Sequence, residues 1–169
     1  MLVKYIKKQW RLYRLRQMKH KIIKQVAGYT EPLYVGGRSS ATKQTYLGKN
    51  VSFNGMHISG GAKVVIGDNF HSGAECLMMT TIHNYEGDAL PYDKTVIHKD
   101  ICIEDNVWLG HGVTVLGGVT IGEGAIIQAR SVVVSDIPKY AIAGGHPCKV
   151  FKQRNVEHYE KLKNEGKFC

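Results

Sequence analysis

One histidine stands where an imidazole could do chemistry. His83, in the stretch TTIHNY, comes directly before residues 84–95, which contain three carboxylates, two tyrosines, a glycine and a proline. These residues lack the aliphatic spacing of a buried strand, so we predict a loop beside the histidine. An imidazole titrates near neutral pH and can take a proton from a hydroxyl group. A lone histidine is more often structural, so its surroundings decide how it is interpreted.

A six-residue repeat predicts the elements that surround His83. Seven consecutive hexads begin with an aliphatic residue, and the fifth position of each hexad is small or branched. The first positions are Ile97, Ile103, Leu109, Val115, Ile121, Ile127 and Val133. A period of six fits neither a helix nor a simple alternating strand. It indicates a solenoid in which each hexad forms a short strand and a corner, with aliphatic side chains stacked inward.

Further traces of the repeat, LGKNVS at 47–52 and IGDNFH at 66–71, extend the solenoid toward the N-terminus. We therefore predict an all-β solenoid, a parallel β-helix of about five coils over residues 34–138. The predicted units are a basic amphipathic helical segment at 1–33, the β-helix at 34–149 with an ejected loop at 84–95, and a C-terminal helix and tail at 150–169. That helix, beginning at residue 150, is expected to cover the open end of the solenoid.

Positive charge is confined to the N-terminal segment. The formal net charge is +9, and residues 1–27 hold nine Lys or Arg and no carboxylate, which leaves 14 basic and 14 acidic residues in 28–169. A nucleic-acid-binding domain would spread positive charge over its surface, so we predict no nucleic-acid partner. No apolar run reaches the ~18–20 residues of a membrane span or resembles a signal peptide. The four cysteines lack C-x-x-C spacing, which favours reduced thiols and a cytoplasmic location.

The N-terminal segment has two interpretations. Val3, Ile6, Trp10 and Tyr13 follow a helical spacing, and Leu15, Met18, Ile22 and Val26 continue it on a rotated face. The helix can cap the solenoid or pack on a neighbouring subunit. Alternatively, residues 1–27 make peripheral contact with the anionic inner face of a membrane, where each Lys or Arg adds about 1 kcal/mol.

The stretches NVWLGHGVTVLGGVTIGEGAIIQARSVVVSDIP and AGGHPCKV resemble the hexapeptide-repeat acyltransferases, in particular the maltose, galactoside and polysaccharide O-acetyltransferases. The resemblance covers about residues 47–154. It implies a left-handed β-helix and a homotrimer with active sites between neighbouring subunits. It also implies acetyl-CoA as acyl donor, no metal, and a small-molecule or lipid-linked sugar acceptor in surface-polysaccharide or lipopolysaccharide biosynthesis.

The same resemblance assigns roles to individual residues. His83 takes the position of the family's catalytic histidine and would act as general base, with the Gly110 region as the candidate oxyanion donor. Trp108, Gly110, Ala129, Ser131 and Gly145 are the candidates for coenzyme binding. By their charge, Lys149, Lys152 and Arg154 could bind the coenzyme phosphates, or they could form an ordinary solvated face. Candidate acceptor contacts are Asn54 and, in the loop, Tyr85. Gln128 and Arg130 depart from the family's pattern of glycine and a small residue, so the coenzyme arm could pass differently, or Arg130 could reach a phosphate.

Three alternatives stay open. One is an N-acetyltransferase on an amino-sugar nucleotide, although residues 1–46 are too short and basic for the nucleotide-binding domain of that branch. A second is a protein like the γ-class carbonic anhydrases, which the spacing disfavours. Those enzymes need an H-x-x-x-x-H pair for zinc, and no two of the solenoid's histidines are five apart. The third is a non-enzymatic scaffold, which failure to bind acetyl-CoA would indicate.

Overall fold

A computed structural model describes residues 1–169, with two helices and eighteen strands. The helices are α1 (Leu2–Gln25) and α2 (Val156–Asn164). The strands are β1 (Gly28–Tyr29), β2 (Leu33–Val35), β3 (Thr45–Leu47), β4 (Val51–Phe53), β5 (Met56–Ser59), β6 (Val64–Ile66), β7 (His71–Ser72), β8 (Cys76–Met79), β9 (Thr81–His83), β10 (Val96–His98), β11 (Ile101–Ile103), β12 (Trp108–Leu109), β13 (Thr114–Leu116), β14 (Thr120–Ile121), β15 (Ile126–Ile127), β16 (Val132–Val133), β17 (Ala141–Gly145) and β18 (Cys148–Gln153).

Fifteen of the strands form the faces of a β-helix. Face 1 contains β1, β3, β6, β11 and β14, face 2 contains β2, β4, β7, β12, β15 and β17, and face 3 contains β5, β8, β13 and β16. All neighbours within these groups are parallel. The predicted parallel β-helix is therefore confirmed. The six parallel strands of face 2 indicate about six levels, close to the five expected.

The hexads account for the core. The first positions from Ile103 to Val133 are at most 1% exposed, and the fifth positions from Ile101 to Ile137 at most 3%. Each hexad thus directs two side chains inward, and full burial of an aliphatic side chain contributes about 1.5–3 kcal/mol. Ile97 is the exception, because it lies in β10, outside the stacked core.

The stacked strands extend at both ends beyond the coils predicted for residues 34–138. Near the N-terminus, β1 already pairs with β3, and Ile22 and Val26 from the end of α1 enter the core. At the other end the stack continues past Pro138, where β17 pairs with β15. The antiparallel strand β18 then covers the free edge of β17. Neither helix has the length and apolar character needed to cross a membrane.

The C-terminal helix differs from the prediction in its start and its position. Residues 148–153 form β18, and α2 begins at Val156, where the Asn155 side chain accepts a hydrogen bond from the His158 amide at 2.9 Å. This N-cap fixes the start of the helix. The helix lies along the side of the solenoid, with Tyr159 bonded to Asn106, and so does not cover the open end.

Candidate functional site

Three corners run along the solenoid, and they organise the predicted site residues. The asparagine corner, between faces 1 and 2, contains Asn50, Asn69 and Asn106. The glycine corner, between faces 2 and 3, contains Gly73 and Gly110. The hairpin corner lies between faces 3 and 1, where residues 80–100 leave the stack.

The segment that leaves the stack is a hairpin. Strand β9 pairs antiparallel with β10, and His83 lies opposite Val96 at the end of the pairing. Beyond it, Asn84 N donates to Thr95 O at 3.1 Å, which closes the tip. Asp93 accepts from the Thr95 hydroxyl and from the Thr95 amide at 2.7 Å, and these hydrogen bonds lower the pKa of its carboxyl group. The tip therefore has internal order that supports the histidine beside it.

The imidazole of His83 is exposed and stacked on a tyrosine. Its ring lies on that of Tyr92, with centroids 3.8 Å apart and planes 11° apart. Stacking engages a ring face and leaves the nitrogens at the ring edge accessible, which a general base requires. The sequence prediction missed Tyr92, since only the hairpin brings it back across nine residues to His83. Tyr85, the predicted acceptor contact, is 61% exposed on the tip.

A second imidazole anchors the base of the hairpin. The Thr81 hydroxyl accepts a hydrogen bond from Gly61 N at 2.8 Å and shares another with His98 Nδ1 at 2.7 Å. Thr81 and His98 are paired across the two strands. This contact ties the hairpin to the level below and leaves His83 as the histidine at its open end.

The glycine corner places several predicted coenzyme residues on successive levels. A Cβ on Gly110 would lie 2.5 Å from the Ala129 nitrogen, so the two levels can stack only with glycine there. The Gly110 amide donates to Ile127 O at 2.8 Å. Because that proton is already used between levels, the Gly110 amide itself is not available to an oxyanion, and the donor predicted in the Gly110 region stays a prediction for the other amides there. The Ala129 amide makes no hydrogen bond within the chain, so it is a backbone donor that this corner offers to a ligand.

Trp108 and Ser131 flank the glycine corner in different ways. The Trp108 side chain is 54% exposed on face 2 and lines a groove of about 320 Å³ beside α2 and the C-terminal residues. Ser131 is buried, and its hydroxyl accepts from Gly145 N at 3.0 Å. Gly145 has a φ of 101° at the turn into β18, a conformation that favours glycine. Ser131 and Gly145 thus shape the end of the corner.

The cations predicted for the coenzyme phosphates divide into two groups. Lys149 and Lys152 are exposed on β18 and have no side-chain partner. Arg154 donates from Nη1 to Gly124 O at 3.0 Å and lies over the Tyr159 ring. Arg130 contacts Glu75 Oε2 at 3.2 Å. The two lysines are therefore the predicted cations free to meet a phosphate.

Asn54 lies at the glycine corner, but near the N-terminal end. Its Nδ2 donates to Ser72 O at 3.0 Å, which holds the amide against the next level. The residue also lines a groove of about 870 Å³ between α1 and face 2. This places the predicted acceptor contact beside the basic helix.

The asparagine corner satisfies its own polar groups. Asn50 Nδ2 donates to Asn69 Oδ1, and Asn69 Nδ2 to Asn106 Oδ1, both at 2.9 Å. The ladder ends on the Tyr159 hydroxyl, which donates to Glu123 at 3.0 Å. Burial raises the pKa of Glu123, but hydrogen bonds from Lys163 and Tyr159 outweigh it and lower the pKa overall. The hydrogen bond to Glu123 in turn raises the pKa of Lys163.

The predicted site residues therefore lie on separate corners of one chain. His83 belongs to the hairpin corner, Gly110, Ala129 and Lys149 lie at or near the glycine corner, and Arg154 contacts the asparagine corner at Gly124. No group of three His, Cys, Asp or Glu side chains could hold a metal ion.

Comparisons with known proteins match the repeat. Residues 103–135 match the family described as bacterial transferase hexapeptide (six repeats). A putative acetyltransferase of Saccharomyces cerevisiae is 40% identical over 113 residues, 64% of this chain and 55% of the relative. The galactoside O-acetyltransferase of Lactococcus lactis is 34% identical over 120 residues, 67% of this chain and 58% of the relative. The chain thus spans somewhat more than half the length of these curated relatives.

Solved structures share the fold. A maltose O-acetyltransferase from Clostridium difficile superposes with a TM-score of 0.68 at 28% identity, covering 80% of this chain and 72% of that one. A galactoside acetyltransferase in complex with coenzyme A gives a TM-score of 0.69 at 29% identity, covering 79% of this chain and 68% of that one. The fold is the left-handed β-helix of such acetyltransferases.

Proposed function

Because the chain belongs to the family of hexapeptide-repeat acyltransferases, we propose that it transfers the acetyl group of acetyl-CoA to a sugar hydroxyl. One observation carries the proposal. An exposed imidazole, that of His83, is held by Tyr92 at the open end of a hairpin on the fold of these enzymes. A sugar hydroxyl is a weak nucleophile, and such a group can accept its proton.

The reaction needs no covalent enzyme intermediate. The acceptor oxygen attacks the thioester carbonyl while His83 takes the hydroxyl proton. The tetrahedral oxyanion then collapses and breaks the carbon–sulfur bond. The coenzyme leaves as a thiolate and takes the proton from the imidazolium, which restores the neutral base. Throughout, Tyr92 holds the plane of the His83 ring.

Residues near the glycine corner are suited to the coenzyme. The free Ala129 amide supplies a backbone donor for the pantetheine arm. Lys149 and Lys152 supply exposed cations that can form charge-assisted hydrogen bonds with phosphates. Trp108 provides an apolar wall on face 2, in the groove beside α2. The residues present therefore fit acetyl-CoA as a bound substrate.

A trimer would complete the site. His83 and the glycine corner lie at different corners of one chain, so we propose that the hairpin corner of one subunit meets the glycine corner of a neighbour. A protein that binds acetyl-CoA and turns it over as a monomer would contradict this arrangement.

The acceptor and the location belong to the same proposal. We place the protein in the cytoplasm, acting on a small-molecule or lipid-linked precursor of a surface polysaccharide or lipopolysaccharide. An acceptor screen decides between acceptor classes. Preference for hydroxyl sugars over amino-sugar nucleotides supports O-acetylation, and the reverse preference identifies an N-acetyltransferase.

The test of His83 is coenzyme release with the best acceptor from that screen. We expect His83→Ala to lower kcat by about 10²- to 10⁴-fold, the usual contribution of a general base. His57→Ala is the matched control, since His57 is an exposed imidazole on face 3, and it should retain the wild-type rate. Full turnover by His83→Ala would rule out His83 as the base.

A further inference from the structure

The N-terminal half of α1 carries an apolar surface with no partner in the chain. Ile6, Trp10 and Tyr13 are each more than half exposed, as are Leu2 and Val3. Within α1, only Ile22 is fully buried, and Met18 and Ile23 pack against the core. The helix is therefore anchored by its last turns, while its first three turns expose large apolar side chains.

The two halves of α1 direct their apolar residues differently. At about 100° per residue, the stripe of Leu2, Val3, Ile6, Trp10 and Tyr13 lies roughly 140° around the helix from Leu15, Met18 and Ile22. The second set faces the solenoid, because it contains the buried Ile22. The first stripe therefore does not continue the packed face. It lies around the helix from that face, and its Ile6 and Trp10 also border the groove between α1 and face 2.

Cations follow the apolar stripe along the same side of the helix, which we call its outward side. By the same geometry, Lys21 and Lys24 lie on the continuation of that side, and both are exposed. Of the nine cations in residues 1–27, only Lys19 forms an ion pair, with Glu31 at 2.8 Å. The outward side of α1 thus combines apolar and aromatic residues with unpaired positive charge.

We propose that this outward side of α1 docks on an anionic lipid bilayer and lies in the plane of its surface. Apolar side chains would enter the boundary between headgroups and acyl chains, while lysines contact the anionic headgroups. Charge favours this occupant over a second α1, which would bring another nine cations and no carboxylate. Residues 28–169, with balanced charge, would remain on the aqueous side of the helix. The proposal does not depend on acetyl transfer.

The test uses the full chain and lipid vesicles. In co-sedimentation, we expect binding to vesicles of phosphatidylglycerol and phosphatidylcholine, little binding to phosphatidylcholine alone, and release at high salt. Lys21→Gln with Lys24→Gln should weaken binding by about 30-fold, since each lysine adds about 1 kcal/mol. Ile6→Gln with Trp10→Gln should weaken it at least about tenfold through loss of the buried apolar side chains. Glutamine preserves helix propensity, and circular dichroism checks that α1 remains folded.

Two matched variants test whether position matters. Lys49→Gln with Lys161→Gln removes the same charge elsewhere, and Val150→Gln with Phe151→Gln removes exposed apolar side chains from β18. Both should bind vesicles like the wild type. Trp10 fluorescence should shift to the blue on binding, and the Trp10→Gln variant, which retains only Trp108, should show no shift.

Three results would overturn the proposal. One is equal binding to neutral and anionic vesicles. Another is equal loss of binding in the matched variants. The third is a change in oligomer mass measured by light scattering. If the variant Ile6→Gln with Trp10→Gln has a lower mass than the wild type, another copy of the chain covers the stripe.

Discussion

The asparagine corner and the hairpin corner handle polar side chains in opposite ways. At the asparagine corner, each amide bonds to the amide of the next level, and the ladder ends on Tyr159 of α2. At the hairpin corner the chain leaves the stack, and His83 is held by stacking on Tyr92 alone. The first arrangement uses its donors and acceptors internally. The second leaves an imidazole available to a substrate.

The difference shows where a solenoid can place chemistry. Stacked corners satisfy one level with the next, so their residues hold the fold together and have few free polar atoms. A departure from the stack creates an exposed segment whose side chains are not needed for the core. Substitutions at stacked corners should therefore change stability, and substitutions in the hairpin should change catalysis.

The largest effect is expected at a stacked corner where backbone meets backbone. Gly110→Ala would place a Cβ 2.5 Å from Ala129 N and 2.9 Å from Ala129 Cα. Neither atom can move without separating two levels, so we expect a loss of about 3 kcal/mol in the free energy of unfolding. Urea denaturation measures it.

Gly28→Ala is the control for Gly110→Ala. Its Cβ would lie 3.7 Å from the Tyr46 side chain, an ordinary contact. The free energy of unfolding should change by less than about 0.5 kcal/mol. Equal effects of the two substitutions would show that stacking distance does not limit this corner.

A smaller effect, with a defined pH dependence, is expected where α2 closes the asparagine corner. Glu123→Gln removes the charge that accepts hydrogen bonds from Lys163 and Tyr159. Since the group is partly exposed, we expect a loss of about 1 kcal/mol at neutral pH. The pKa of Glu123 is lowered in the folded protein. The stabilisation that its carboxylate gives to the folded state is therefore fully present above the pKa of the unfolded state, and it is lost as pH falls through the pKa of the folded state.

Denaturation of both proteins from pH 7 down to pH 3 tests the Glu123 prediction. The difference in stability between wild type and Glu123→Gln should shrink toward the acid end, because the wild-type carboxylate becomes neutral. A difference that stays constant with pH would mean that the charge of Glu123 does not stabilise the corner.

The smallest change in stability is expected in the hairpin. Tyr92→Ala should alter the free energy of unfolding by less than about 0.5 kcal/mol, since Tyr92 is exposed. Loss of the stacked ring should lower kcat by about three- to tenfold, in line with the energy of an aromatic pair. Tyr92→Phe keeps the ring and should keep the rate. A stability loss in Tyr92→Ala as large as in Gly110→Ala would remove the distinction between the corners.

Much of the fold could be predicted from spacing, and less of the site. The hexads from Ile103 onward predict two inward positions each because a solenoid repeats the same geometry at every level. The bounds of α2 were less predictable, since Val150 and Phe151 suit an exposed strand as well as a helix. Tyr92 was missed because its contact with His83 depends on a hairpin across nine residues. The candidate oxyanion donor could be predicted only as the Gly110 region, because the sequence does not show that stacking already uses the amide of Gly110 itself.

The sequence by itself determined the solenoid, the confinement of charge to residues 1–27 and the departure of residues 84–95 from the repeat. These follow from local spacing and composition, which a chain carries whatever its partners. The tertiary structure alone decided that Tyr92 supports His83, that Arg154 is engaged at the asparagine corner while Lys149 is free, and that the first apolar stripe of α1 does not continue the helix face packed on the core. Each of these depends on which groups meet across levels, and hydrogen bonds or stacking between distant residues have no signature in local spacing.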